Sequence, residues 1–90
     1  MVVRLPAGLR AWSGGQAAIQ LSGATVQAVL DELRAEYPDV ERRVRDEQGR
    51  LRAHVNVFVG ADNIRDLDGL QTELAPDQQV TILPAVSGGR

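Results

Sequence analysis

The sequence predicts an α+β fold of two layers, with a mixed sheet of four to five strands packed on one main helix. Three observations carry that expectation. Residues 26–37 hold a sustained helical period of apolar side chains. Short β-branched runs stand before and after that segment. Ninety residues with 43% hydrophobic content supply a single core, so the helix stripe and the sheet must cover each other.

Val2 to Trp12 reads as a first extended segment, with Val3 and Leu5 in alternation. Pro6 and Gly8 make its continuation irregular, because Pro6 brings no N–H to a ladder and suits a strand end or an edge. Ser13-Gly14-Gly15 signals a turn. Gln16 to Leu21 reads as a second strand with Ile19 and Leu21 on one face, forming a hairpin with the first. Ser22 to Thr25 breaks the pattern, and Thr25 is placed to cap a helix with its hydroxyl. Val26, Val29, Leu30, Leu33 and Tyr37 then fall on one helical face, with Gln27, Asp31, Arg34 and Glu36 on the others. Pro38 restricts the residue before it and ends this helix near Tyr37.

Val40 and Val44 mark a short second helical turn, with Glu41 and Arg45 at i,i+4. Residues 46–50 form a loop. His54 to Val59 is a strand with Val55, Val57 and Val59 on one face. Gly60 to Asn63 is a turn, Ile64-Arg65 a very short strand, and Asp66 to Leu70 a loop tied down by Leu67 and Leu70. Pro76-Asp77-Gln78 is another turn. Val80 to Leu83 is the last strand. A hairpin, a helix crossing over the sheet and further strands make a β-grasp plan, in which the last strand lies centrally beside the first. Residues 1–86 form the domain, and Ser87-Gly88-Gly89-Arg90 forms a flexible C-terminal tail. A tail with two glycines suits threading into a narrow channel of another protein.

Composition removes several function classes. The absence of cysteine excludes a disulfide scaffold, a thiolate metal site and a cysteine nucleophile. With one histidine, His54, a Ser-His-Asp site has little to draw on, and His54 reads as structural or solvated. No catalytic residue and no metal ligand is expected; Asp66 and Asp68 read as a solvated turn. A net charge of -2 leaves no basic footprint for nucleic acid. No apolar run approaches the ~20 residues of a membrane span, so neither nucleic acid nor membrane is an expected partner, and the cytoplasm is the expected location. All ten basic residues are arginine. GC-rich coding explains that plainly; a carrier that cannot be acylated on its own side chains is the sharper explanation. Trp12 reads as core. Phe58, opposite the valine face, reads as a partner contact. Arg4, Arg10, Arg65 and the Arg42-Arg43-Arg45 cluster read as solvated, or as groups that steer an acidic partner.

The chain resembles the ubiquitin-like sulfur carriers of the ThiS/MoaD type. The residues that carry the resemblance are Gly23-Ala24-Thr25-Val26, Tyr37-Pro38, Val55-Asn56-Val57-Phe58-Val59, Asn63-Ile64-Arg65, Asp68-Gly69-Leu70-Gln71-Thr72 and the run from Val80 to Gly89. Each internal piece is weak alone; their order, spacing and diglycine end are specific together. Ile82-Leu83-Pro84-Ala85-Val86-Ser87-Gly88-Gly89 is similar to the carriers that supply sulfide for cysteine synthesis. Relatives that serve molybdopterin synthase often carry a second proline where Ala85 stands.

The resemblance implies a protein-bound sulfur donor, a cosubstrate and not an enzyme. It implies that an E1-like enzyme uses ATP to adenylate the C-terminal carboxylate of Gly89, and that sulfur then replaces AMP as a thiocarboxylate. The carrier binds no cofactor; the ATP belongs to the activating enzyme. Ser87, Gly88 and Gly89 would be threaded into the partner, with Phe58, Pro84 and Val86 at the interface. The acceptor would be a PLP-dependent cysteine synthase, a secondary-metabolite synthase or the large subunit of molybdopterin synthase. A modifier joined to protein lysines is the remaining reading.

Arg90 departs from the pattern. One added residue moves the carboxylate by about 3.3–3.6 Å, as far as the whole approach distance of about 3–3.5 Å between reacting atoms. The expectation is therefore a precursor from which a protease, of the JAMM type in this family's context, removes Arg90.

Overall fold

The structure is a computed structural model and describes residues 1–84. Five strands form one sheet: β1 (Val2–Arg4), β2 (Ala18–Gln20), β3 (Val55–Val59), β4 (Asp62–Asn63) and β5 (Val80–Pro84). Their order is β2-β1-β5-β3-β4. β1 and β2 are antiparallel, with Val3 opposite Ile19. β5 runs parallel to β1 and antiparallel to β3, pairing Val3 with Val80 and Val57 with Ile82. The last strand is therefore central and touches the first, as the β-grasp plan requires.

The helical layer is α1 (Val26–Glu36) and α2 (Pro38–Val44). Thr25 caps α1, its hydroxyl accepting the Ala28 N–H at 3.1 Å. Val26, Val29, Leu30 and Leu33 are buried on the sheet, where Val3, Ile19, Val57, Val80 and Ile82 meet them. Tyr37 ends α1 and Pro38 opens α2, because proline fits a first helical position and disfavours helix before itself. Val40 and Val44 extend the core from α2. The expected Glu41–Arg45 pair forms and is buried, and Arg45 also reaches Asp31 at 2.9 Å.

Several expectations are corrected. The first extended segment stops at Arg4, and Ala7–Trp12 is a 3₁₀ turn. Leu5 still donates to Ala17 O at 2.8 Å, but Pro6 has no N–H to carry the ladder further. Trp12 is not core: it is 39% exposed, with the Arg43 guanidinium 3.6 Å from its ring centroid. The short strand is Asp62–Asn63, and Ile64–Asp66 is a 3₁₀ turn capped by Asn63, whose Oδ1 accepts the Arg65 N–H at 2.9 Å. Of the two leucines expected to tie down the next loop, Leu70 packs against the core and Leu67 is 45% exposed. Buried Thr72 also holds that loop, its hydroxyl accepting the Asp68 N–H at 3.2 Å and its carbonyl the Val26 N–H at 3.0 Å. The tail expected at 87–90 and the domain boundary at 86 lie outside the described residues. Among the described residues no helix is long and apolar enough to cross a membrane.

Candidate functional site at the end of the central strand

β5 delivers the chain to the rim of the sheet. Its alternation sends Val80 and Ile82 toward the helices and turns Thr81 and Leu83 to the opposite face. There Thr81 lies between Arg4 of β1 and Phe58 of β3, and Leu83 lies beside Asn56. Phe58 is half-buried, Leu83 is 42% exposed and Pro84 is exposed. The open face thus carries Phe58 and Leu83, while Pro84 stands on the helix side with Ile82 at the strand's end. Phe58 and Pro84 sit on neighbouring strands, with Pro84 opposite Val55. Three residues separate their registers, roughly 10 Å along the strands.

Side-chain hydrogen bonds brace the rim. Arg65 donates to the carbonyls of Val55 at 2.6 Å and Arg52 at 2.9 Å, satisfying backbone acceptors at the entry to β3. Asn56 Oδ1 accepts from Asn63 at 3.3 Å and ties β3 to β4. Asn63-Ile64-Arg65 in the sequence therefore buttresses the strand that flanks the chain's exit.

Of the residues expected at the interface, Phe58 and Pro84 are placed here. Val86, Ser87, Gly88, Gly89 and Arg90 lie outside the described residues. Sequence reading missed Leu83, although its place next to buried Ile82 in an alternating strand was signal enough. It also missed an apolar groove of about 290 Å³ between the 3₁₀ turn and the end of β5, with Leu9, Trp12, Ile82, Leu83 and Pro84 on its walls. Among the described residues no three His, Asp or Glu side chains converge as metal ligands. The geometry suits presentation of the segment that follows β5.

A model of the ThiS family matches residues 3–89. The chain belongs to the ThiS family. The sulfur carrier protein CysO of Mycobacterium tuberculosis is 40% identical over 91 residues, covering 99% of this chain and 98% of its own length. The crystal structure of that protein superposes with a TM-score of 0.88 at 39% identity, covering 94% of this chain and 98% of the other. A chain of the Amycolatopsis orientalis BexX/CysO complex gives a TM-score of 0.89 at 33% identity, covering 98% of both. The small archaeal modifier protein 1 of Methanosarcina acetivorans gives 0.83 at 36% identity, covering 98% of this chain and 94% of its own. The fold is the ubiquitin-like β-grasp of this family, now placed on named strands.

Proposed function

We propose that this ThiS-family chain is a sulfur carrier of the CysO kind, with Gly89 as the residue that bears the sulfur. The full-length likeness to CysO carries the reading. In the reaction, the Gly89 carboxylate attacks the α-phosphorus of ATP on an E1-like enzyme and pyrophosphate leaves. A sulfide equivalent then displaces AMP from the acyl adenylate and leaves a thiocarboxylate. That sulfur is the nucleophile delivered to an acceptor enzyme, a PLP-dependent cysteine synthase or a secondary-metabolite synthase, in the cytoplasm. The likeness to a chain crystallised in the BexX/CysO complex supports docking on a partner protein.

The architecture fits this role. Gly89 stands five residues past Pro84, so it can reach at most about 18 Å beyond the sheet rim. Ordering each of those residues costs roughly 1–2 kcal/mol of backbone entropy. The body must offset that cost with its own contact surface, and the exposure of Leu83 and Pro84 at the end of β5 supports one there. Gly88 and Gly89 carry no Cβ to widen the threaded segment.

Arg90 must leave first, by hydrolysis of the Gly89–Arg90 peptide bond, for which a JAMM-type zinc protease is the expected agent. ATP–pyrophosphate exchange with the activating enzyme tests this. The form ending at Gly89 should support exchange and the form ending at Arg90 should not; equal exchange by both would overturn the precursor reading. The likeness to an archaeal modifier protein favours protein conjugation as the second reading. Isopeptide adducts of this chain on cellular lysines, without a thiocarboxylate form, would establish it instead.

A further inference from the structure

The Arg42-Arg43-Arg45 cluster is only partly used by the fold. Arg45 is buried with Glu41 and Asp31, and Arg42 pairs with Asp39 at 2.9 Å. Arg43 and Arg52 are different: among the described residues neither meets a carboxylate. Arg43 donates to the backbone carbonyl of Asp39 at 2.8 Å, and Arg52 to that of Arg42 at 3.0 Å. Together with Arg42 and His54 they line a hollow of about 320 Å³. This basic hollow adjoins the apolar groove beside β5, and Arg43 and His54 wall both.

Two neighbouring hollows of opposite character, sharing a wall, define a bipartite site. The apolar one is framed by Trp12, the type of residue that most often anchors a protein interface and here 39% exposed. The basic one offers two guanidiniums whose strongest partner, a carboxylate, is not supplied by the described fold. The groove also includes Leu83 and Pro84, the last residues before the segment proposed to be threaded.

We infer that this bipartite groove docks a peptide segment of the tail-receiving protein, one carrying a large apolar side chain with Asp or Glu one or two residues away. The apolar side chain enters beside Trp12, and the carboxylate meets Arg43 and Arg52. Arg43 and His54 wall both hollows, so the two side chains of the docked segment sit close together in sequence. The Arg43 and Arg52 guanidiniums favour a local carboxylate, while a net charge of -2 gives the chain no basic footprint for nucleic acid. Only the identity of the partner rests on the carrier reading; the groove's chemistry stands on its own residues.

The test is a titration of the isotopically labelled 90-residue chain, followed by NMR. The probe is an end-blocked pentapeptide with one phenylalanine flanked on each side by two acidic residues. The account expects saturable shifts at the Trp12 indole N–H and at the Ile82 and Leu83 methyls. It expects no such shifts with alanine in place of the phenylalanine, or with lysines in place of the acids. The Arg43→Ala, Arg52→Ala double variant should keep its amide spectrum and bind the acidic peptide about tenfold more weakly.

Absence of saturable shifts, or equal shifts with the lysine peptide, would overturn the inference. So would two other outcomes. Trp12 shifts that grow with protein concentration alone would assign the groove to a second copy. A Trp12 shift produced by deleting residues 85–90, and as large as the peptide's, would assign it to the chain's own end. The titration uses neither ATP nor an activating enzyme, so its failure leaves the carrier reading standing, and failed adenylation leaves the groove's result standing.

Discussion

Gly23 stands where the chain enters α1, and a Cβ there would lie 2.7 Å from the Val29 nitrogen and 2.9 Å from its Cγ2. Both neighbours are fixed, one in the helix backbone and the other in the core, so neither can give cheaply. Gly23→Ala is expected to destabilise the domain by about 1–3 kcal/mol through overpacking, read from the shift of the urea midpoint at unchanged slope. Sequence reading could mark Ser22 to Thr25 as a break and Thr25 as the cap, because capping chemistry is local. It could not see why residue 23 must lack a side chain, since that depends on how closely the incoming chain crosses the helix. Trp12 shows the same limit. A lone tryptophan in a small apolar domain reads as core, and only the 3₁₀ turn after Pro6 turns it outward onto Arg43. At the other end of the chain, Gly89→Ala in the processed form is expected to slow adenylation by on the order of 10²-fold. The same pyrophosphate exchange measures it.

At the scale of elements, α1 was the most legible segment, because four core side chains recur at helical spacing over a capped, proline-terminated span. Leu33→Ala, at a fully buried position facing the sheet, should cost about 2–5 kcal/mol. α2 was legible as a pattern, but the burial of its ion pair was not, since i,i+4 charges usually lie on a solvated face. Arg45 is 5% and Glu41 10% exposed at the side chain, whereas Asp31 is 59% exposed. Glu41→Ala should therefore cost about 3 kcal/mol by stranding a buried guanidinium, and Asp31→Ala less than about 1 kcal/mol. Chemical denaturation of both variants checks the contrast.

The loop after α2 carries a pH dependence. The Arg50 N–H first, then the Gln48 N–H and the Arg50 guanidinium, hold the Asp46 carboxyl below its ordinary value of 3.8. A depressed folded value means that the charged carboxylate stabilises the loop above the ordinary value, and that this contribution is lost as pH falls through the depressed one. NMR titration of the Asp46 carboxyl should give a midpoint below 3.8, moving upward in Arg50→Ala. The short 3₁₀ turns were the least legible elements. Each is set by one feature, the missing N–H of Pro6 or the Asn63 cap, and three residues show no period.

For the whole molecule, strand order was legible because a hairpin, one crossover helix and a final β-branched strand leave few ways to close a core. The final strand is central, where its apolar side chains find the helix layer on one face. The groove beside β5 was not legible, since it joins residues 9–12, 43, 54–55 and 82–84, which only the fold brings together. Deleting residues 85–90, which include Gly89, is expected to abolish sulfur transfer, read as loss of the sulfurated product by intact mass.

The central claim is that this fold exists to present Gly89 as a sulfur donor. Intact-mass and fragment-ion spectrometry of the chain, after reaction with ATP, its activating enzyme, a sulfide source and the protease, addresses it directly. The account predicts a product ending at Gly89 in which one carboxylate oxygen has become sulfur. A thiocarboxylate on a chain that still retains Arg90, or a processed chain that is never sulfurated, would contradict it.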